Sequence, residues 1–260
     1  MGPGGDPFLT TQVDRLAVRV YRNRQAMGAA AGAAVAGQMR GALARQPGLR
    51  MVFAAAPSQN EFLAALAAAE GIDWARVTAF QMDEYLGLPP GAPGTFGRFL
   101  ADRLFDRVRP GVVHRIDPAN DAAAECARYA GLLAAAPVDV VCLGIGENGH
   151  LAFNDPPDAD FDDPARVKVV ALSLASRRQQ VHDGCFPTLE AVPTEALTLT
   201  VPALLAGAAL SCVVPGPTKR DAVRQALRGP VSPACPASAL RRHPRCTLWL
   251  DADAYGADED

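Results

Sequence analysis

The stretch Val138-Asp139-Val140-Val141-Cys142-Leu143-Gly144-Ile145-Gly146-Glu147-Asn148-Gly149-His150-Leu151-Ala152-Phe153-Asn154-Asp155-Pro156 decides the fold. Its first six residues are almost all apolar and β-branched, the pattern of a strand buried on both faces of a parallel sheet. A glycine-rich turn follows at the strand's carboxyl end, where open α/β sheets build ligand crevices. His150 and Asp155 lie five residues apart on that turn, so a reactive site is its leading reading.

Working outward, strand-length apolar runs recur at Leu16–Tyr21, Leu49–Ala54, Val77–Phe80, Val112–Ile116, Val167–Leu172, Leu210–Val214 and Cys246–Leu250. Ala-rich or amphipathic stretches separate most of them: Arg22–Ala44, Gln59–Ala69, Thr95–Phe105, Asp121–Ala135 and Thr218–Leu227. This alternation predicts an α/β fold, Rossmann-like, with a mostly parallel sheet and helices on both faces. The alanines of the first helix are read as helix formers that permit close packing. Residues 15–253 read as one domain, between a flexible N-terminal tail (1–14) and an acidic C-terminal tail (254–260). Met1-Gly2-Pro3-Gly4-Gly5-Asp6 has only a superficial likeness to a myristoylation signal, because Asp6 stands where Ser or Thr belongs. The Pro- and Asp-rich segment from Asp155 to Ala165 suits an active-site loop, and a lid is expected near 160–187.

A chain of 260 residues, 49% hydrophobic, can bury a substantial core. Its net charge of −3 gives no broad electrostatic reason to bind nucleic acid or an anionic membrane. No apolar run approaches the roughly 18 residues of a membrane span, and no signal peptide opens the chain. The six cysteines are scattered, without CxxC or zinc-site spacing. These features predict a cytoplasmic protein with reduced thiols and no metal, with a homo-oligomer left open.

Gly144-x-Gly146-x-x-Gly149 matches the dinucleotide fingerprint in outline. That fingerprint opens the first βα unit and has an acidic residue about 20 positions on. Here it falls in mid-chain and Lys168-Val169-Val170 lies at that distance, so NAD binding is not expected. His150 is read as a proton-relay group with Asn148 and Asp155, since imidazole titrates near neutral pH and a carboxylate fixes its tautomer; a purely structural histidine is the alternative.

Phe80-Gln81-Met82-Asp83-Glu84-Tyr85 places two carboxylates just past another apolar run. One can face the cleft as a base, here assigned to Asp83, while the other orients it or caps the helix that follows. Ala54-Ala55-Ala56-Pro57-Ser58-Gln59 and Pro215-Gly216-Pro217-Thr218-Lys219 each lead from a strand into a helix. Ser58 stands as N-cap or anion contact, and Lys219 as an anion contact or a solvated lysine.

Met82-Asp83-Glu84-Tyr85-x-Gly87-Leu88-Pro89, Gly146-x-Asn148-Gly149-His150-x-Ala152-Phe153-Asn154 and Pro236-Ala237-Ser238-x-Leu240-x-x-His243 together resemble the glucosamine-6-phosphate deaminase family in order and spacing. The resemblance runs from Val18 to about Asp251. It implies a modified Rossmann-like fold and an aldose-to-ketose isomerisation coupled to deamination, without a cofactor. Asp83, Asn148, His150 and Asp155 would be catalytic, with Ser58, Gln59, Glu84, Arg178 and Lys219 binding a sugar phosphate.

Tyr85 and Phe153-Asn154-Asp155 distinguish the chain from the 6-phosphogluconolactonases of the same fold, which commonly read Asp-Glu-Arg in the earlier motif. A lactonase and a non-catalytic sugar-phosphate sensor are the rival readings. Three departures stand out. Ala54–Gln59 replaces a Thr- and Gly-rich phosphate loop, and Asp155 replaces a glutamate. The lid has no clear phosphate-clamping arginine, leaving Arg177, Arg178 and His182 as candidates. Val170 stands where a second lysine is expected, which implies little activation by N-acetylglucosamine 6-phosphate.

Overall fold

The computed structural model describes residues 5–257. Its strands, in chain order, are β1 (Leu9–Val13), β2 (Leu16–Tyr21), β3 (Leu49–Phe53), β4 (Val77–Gln81), β5 (Asp83–Tyr85), β6 (Val112–His114), β7 (Val140–Leu143), β8 (Val167–Ala171), β9 (Glu195–Leu199), β10 (Ala209–Val214) and β11 (Cys246–Asp251). The helices are α1 (Arg24–Leu43), α2 (Asn60–Ala67), α3 (Phe96–Leu100), α4 (Asp106–Val108), α5 (Ala122–Ala134), α6 (Leu174–His182), α7 (Val201–Leu205), α8 (Arg220–Arg228) and α9 (Ala252–Tyr255).

Eight strands form one sheet in the order β1-β2-β11-β10-β7-β3-β4-β6. Every pairing from β2 to β6 is parallel, and β1 joins β2 antiparallel at the edge. Alternation along the strands sends side chains to two separate cores. On β7, Val141 and Leu143 join one core and Val140 and Cys142 the other; on β3, Val52 and Met51/Phe53 divide the same way. Helices cover both faces, as the continuous apolar runs require.

On one face α1 and α2 pack closely, because Gly28 and Gly32 carry no side chain. A Cβ on Gly28 would stand 2.4 Å from Glu61 Cβ, and one on Gly32 would stand 2.6 Å from Ala65 Cβ. The small-residue composition of α1 is therefore a packing device. Asn23 caps the helix by accepting from Ala26 N at 2.9 Å.

The structure corrects several boundaries. Leu9–Val13, expected in a flexible tail, is a strand, and α9 begins before the expected acidic tail, with Asp251 capping it through Ala254 N; residues 1–4 and 258–260 lie outside the described residues. Val167–Ala171 is extended as expected, but it leaves the main sheet for a second, three-stranded antiparallel sheet in the order β5-β9-β8. Among the described residues no helix is long and apolar enough to cross a membrane.

Chain direction diverges between β3 and β7. From β3 the sheet grows through β4 to β6, and from β7 through β10 and β11 to β2. Loops leaving adjacent strands in opposite directions open a crevice at the strands' carboxyl ends. Ala54–Gln59 leaves β3 there and Gly144–His150 leaves β7.

Candidate active site

A cleft occupies this crevice. Its walls come from Ala54–Ala56, Ser58 and Gln59 after β3, from Met82 and Asp83 at the end of β4 and start of β5, and from Gly144–Gly146, His150, Ala152 and Phe153 after β7. Gln179 and Gln180 of α6 close it.

The histidine turn is anchored on all sides. Asn154 Nδ2 donates to Leu151 O and to Leu199 O of β9, both at 2.8 Å, and Phe153 N donates to Thr198 Oγ1 at 3.1 Å. Ala237 N donates to Gly149 O at 2.9 Å, so the Pro236–Arg242 segment braces the turn from the other side. Ala152 holds a left-handed φ of +51°, a conformation costly for a residue with a Cβ and typical of a constrained functional turn.

The imidazole of His150 rests on Gly146, where a Cβ would stand 2.1–2.3 Å from three ring atoms. Its tautomer follows from its neighbours. Asn148 Nδ2 donates to Asp155 Oδ1 at 2.8 Å, which turns Asn148 Oδ1 toward His150 Nδ1, also at 2.8 Å. An amide oxygen only accepts, so Nδ1 carries the proton and Nε2 is the free base. Asp155 Oδ1 lies 3.3 Å from the same Nδ1; the shorter acid reaches the ring. Burial opposes the Asp155 charge, but His150, the Asn148 amide and Ser176 outweigh it and hold the carboxyl below the usual range.

Asp83 is 6% exposed and lines the cleft. Burial, reinforced by Glu84, raises its carboxyl well above the ordinary carboxylate range. Glu84, adjacent on β5, does not line this cleft. Its carboxylate accepts from Tyr85 N, Phe96 N and Gly97 N at 2.9, 3.0 and 2.8 Å, so it caps α3 rather than facing a ligand here. Behind it, Tyr85 packs against Phe96, Phe153 and Phe186.

Ser58 and Gln59 both line the cleft, but Ser58 does not cap the following helix with its side chain; its hydroxyl accepts from Gln59 Nε2 at 3.2 Å. Lys219 ends a short 3₁₀ turn before α8 and is 4% exposed. Burial lowers its pKa, while Asp183 and Glu147 counter this. Arg178 is exposed on α6 and is not brought to the cleft, and Arg177 is spent on Leu189 O and Val192 O. His243 is structural: Nε2 donates to Gly207 O at 2.8 Å and Nδ1 accepts from Arg245 N at 3.1 Å.

Sequence reasoning missed Ser176, Gln179 and Gln180, polar residues of one helix. No group of three or more His, Cys, Asp or Glu suited to hold a metal occurs among the described residues.

The fold and this cleft define a class. Residues 22–249 match the family model described as glucosamine-6-phosphate isomerases/6-phosphogluconolactonase, and the chain belongs to that family. A glucosamine-6-phosphate deaminase of Bacillus cytotoxicus is 38% identical over 184 residues, 70% of this chain and 68% of that protein. One from Bacillus thuringiensis is 36% identical over the same shares. Among solved structures, a monomeric glucosamine-6-phosphate deaminase superposes with a TM-score of 0.85 at 27% identity, covering 93% of this chain and 99% of that one. The 6-phosphogluconolactonase of Trypanosoma brucei shares the fold, with a TM-score of 0.75 at 18% identity over 95% and 99% of the two chains.

Proposed function

We propose that this chain is a glucosamine-6-phosphate deaminase, converting glucosamine 6-phosphate and water to fructose 6-phosphate and ammonia. One observation carries the reading: a buried carboxyl, Asp83, and an imidazole whose far nitrogen is tied to Asn148 and Asp155 line the same cleft. A binding site alone has no need of such a proton-transfer pair.

His150 Nε2 takes the proton from the anomeric hydroxyl and returns it to the ring oxygen, opening the pyranose. The Asp155 carboxylate stabilises the imidazolium formed between the two transfers. Asp83 then removes the proton on C2 while one proton of the substrate's ammonium passes to O1, giving an enolamine, and Asp83 returns its proton to C1, leaving a protonated imine at C2. Water adds to that carbon and ammonia leaves. Burial raises the pKa of Asp83 in the free protein; the substrate's ammonium favours the charged form by placing a cation beside it. His150 is the one basic side chain lining the cleft among the described residues. The phosphate is assigned to Ser58 at the cleft wall and, following the family resemblance, to Lys219, which is buried just before α8 and does not itself line the cleft. All six cysteines are free, four of them buried, which suits a reducing compartment, and we assign the reaction to the cytoplasm.

Ammonia release from glucosamine 6-phosphate, with galactosamine 6-phosphate alongside and Asp83→Asn as control, tests this. The expected result is turnover that Asp83→Asn lowers by about 10²- to 10⁴-fold, together with loss of deuterium exchange at C2. No ammonia from either sugar, with hydrolysis of a phosphorylated aldonolactone instead, overturns it.

A further inference from the structure

Helix α6 is unusual in what it buries. Its buried residues are Ser176, Gln179 and Gln180, with no apolar side chain among them, while Leu174 at its start is 49% exposed. A helix normally docks through an apolar stripe; this one sets only the partly buried Val181 against the core and meets the histidine turn through hydrogen bonds. Gln179 Oε1 accepts from Glu147 N of the histidine turn at 2.8 Å. Ser176 Oγ donates to Asp155 Oδ1 at 2.7 Å and lies 3.0 Å from His150 Nδ1.

We propose that Ser176 is a positioning residue for His150, and that the proton relay is complete only while α6 is seated on the turn. The hydroxyl has one hydrogen, and Asp155 takes it, so its lone pairs face the Nδ1–H of His150. Ser176 thereby does two things at once. It adds an acceptor beside the proton that fixes the tautomer, and it holds Asp155 Oδ1 next to the ring.

Asp155 Oδ1 receives Asn148 Nδ2 and Ser176 Oγ, whereas Oδ2 is buried with no partner in the protein. All the restraint on this carboxylate thus acts through one oxygen, and half of its donors come from α6. Elsewhere α6 is held by the partly buried Val181 and by Arg177, which donates to Leu189 O and Val192 O, so its seating on the histidine turn itself rests on Ser176 and Gln179. Ser176 is 1% exposed and does not line the cleft, so it acts through His150 rather than on a ligand.

The test compares wild type, Ser176→Ala and Ser176→Thr by two readouts. The first is the ¹⁵N-resolved imidazole spectrum of His150 and the exchange rate of its Nδ1 proton. The second is kcat and KM for ammonia release, and this kinetic arm rests on the deaminase reading. Expected are an Nδ1–H tautomer in wild type and, in Ser176→Ala, proton exchange roughly tenfold faster. Its kcat falls about ten- to a hundredfold with KM little changed, and Ser176→Thr stays near wild type in both readouts. Unchanged exchange in Ser176→Ala, or faster exchange with wild-type kcat, overturns the proposal. If wild type releases no ammonia, the deaminase reading fails and the exchange rates alone decide the role of Ser176. Should Ser176→Ala not fold, Ser176→Cys is read in its place.

Discussion

Asp83 and Glu84, consecutive on β5, turn their carboxyl groups to opposite sides of the strand: Asp83 lines the cleft, while Glu84 accepts from the N–H groups of Phe96 and Gly97. The period-2 alternation of a strand makes this division of labour. One acid is left free to exchange a proton with a ligand, and the other is locked as a helix cap by donors that keep it occupied.

Replacing Glu84 by Gln separates the two roles. Glu84 adds to the burial that raises the Asp83 pKa, so the amide variant lowers that pKa and the acid limb of kcat/KM moves to lower pH. It also substitutes a donor for one of the carboxylate acceptors facing Tyr85, Phe96 and Gly97, at a cost of about 1–3 kcal/mol. A pH–rate profile with an unmoved acid limb, or a denaturation midpoint equal to wild type, contradicts this.

The legibility of these features in the sequence followed the physics that creates them. Val140–Leu143 and Ala209–Val214 are apolar because both sheet faces are covered, so their pattern announces a parallel strand. β5 is only Asp83-Glu84-Tyr85 and is extended because β9 pairs with it, a long-range fact that no local pattern records. β1 is half-exposed Leu-Thr-Thr-Gln-Val at a sheet edge and has too little apolar signal to separate it from a tail.

The site divides the same way. His150, Asn148 and Asp155 share one turn and were readable together; Ser176 reaches them from 21 residues beyond Asp155. A helix that buries polar side chains looks, in sequence, like one facing solvent, so Arg178 stood out and Gln179 and Gln180 did not.

Gly146→Ala tests the contact beneath the imidazole. Gly146 has no left-handed φ, so alanine is acceptable to the backbone. The added methyl would meet the His150 ring at 2.1–2.3 Å, and the ring, at the end of a side chain, moves first. The expected outcome is a loss of kcat of about 10²-fold in a protein whose thermal midpoint drops far less than that loss suggests. A variant with wild-type kcat would show that the ring does not need this seat.

Asp155→Asn has a predictable pH signature. Its native carboxyl is held below the ordinary range, so its ionised form stabilises the fold above the unfolded-state pKa, about 3.9. That contribution disappears as pH falls through the lower, native value. The asparagine variant is therefore less stable than wild type at pH 7, and the gap narrows on acidification. Urea denaturation at pH 7 and in the acid range measures it, and a gap that widens toward acid refutes the assignment.

Asp83→Asn carries the opposite sign. A carboxyl whose native pKa is raised lends its stabilising contribution below the unfolded-state pKa and loses it as pH rises through the native value. Above the unfolded-state pKa the fold therefore works against ionisation of Asp83, a cost that the neutral amide escapes. Asp83→Asn is expected to unfold at a higher temperature than wild type at pH 7–8, with the advantage shrinking toward acid, while its activity is lost. The cost of the free carboxylate is what a cationic substrate relieves on binding. The same logic predicts that an amino sugar phosphate raises the thermal midpoint of wild type more than that of Asp83→Asn. Equal ligand-induced shifts in the two proteins would break the link between the Asp83 charge and the substrate's ammonium.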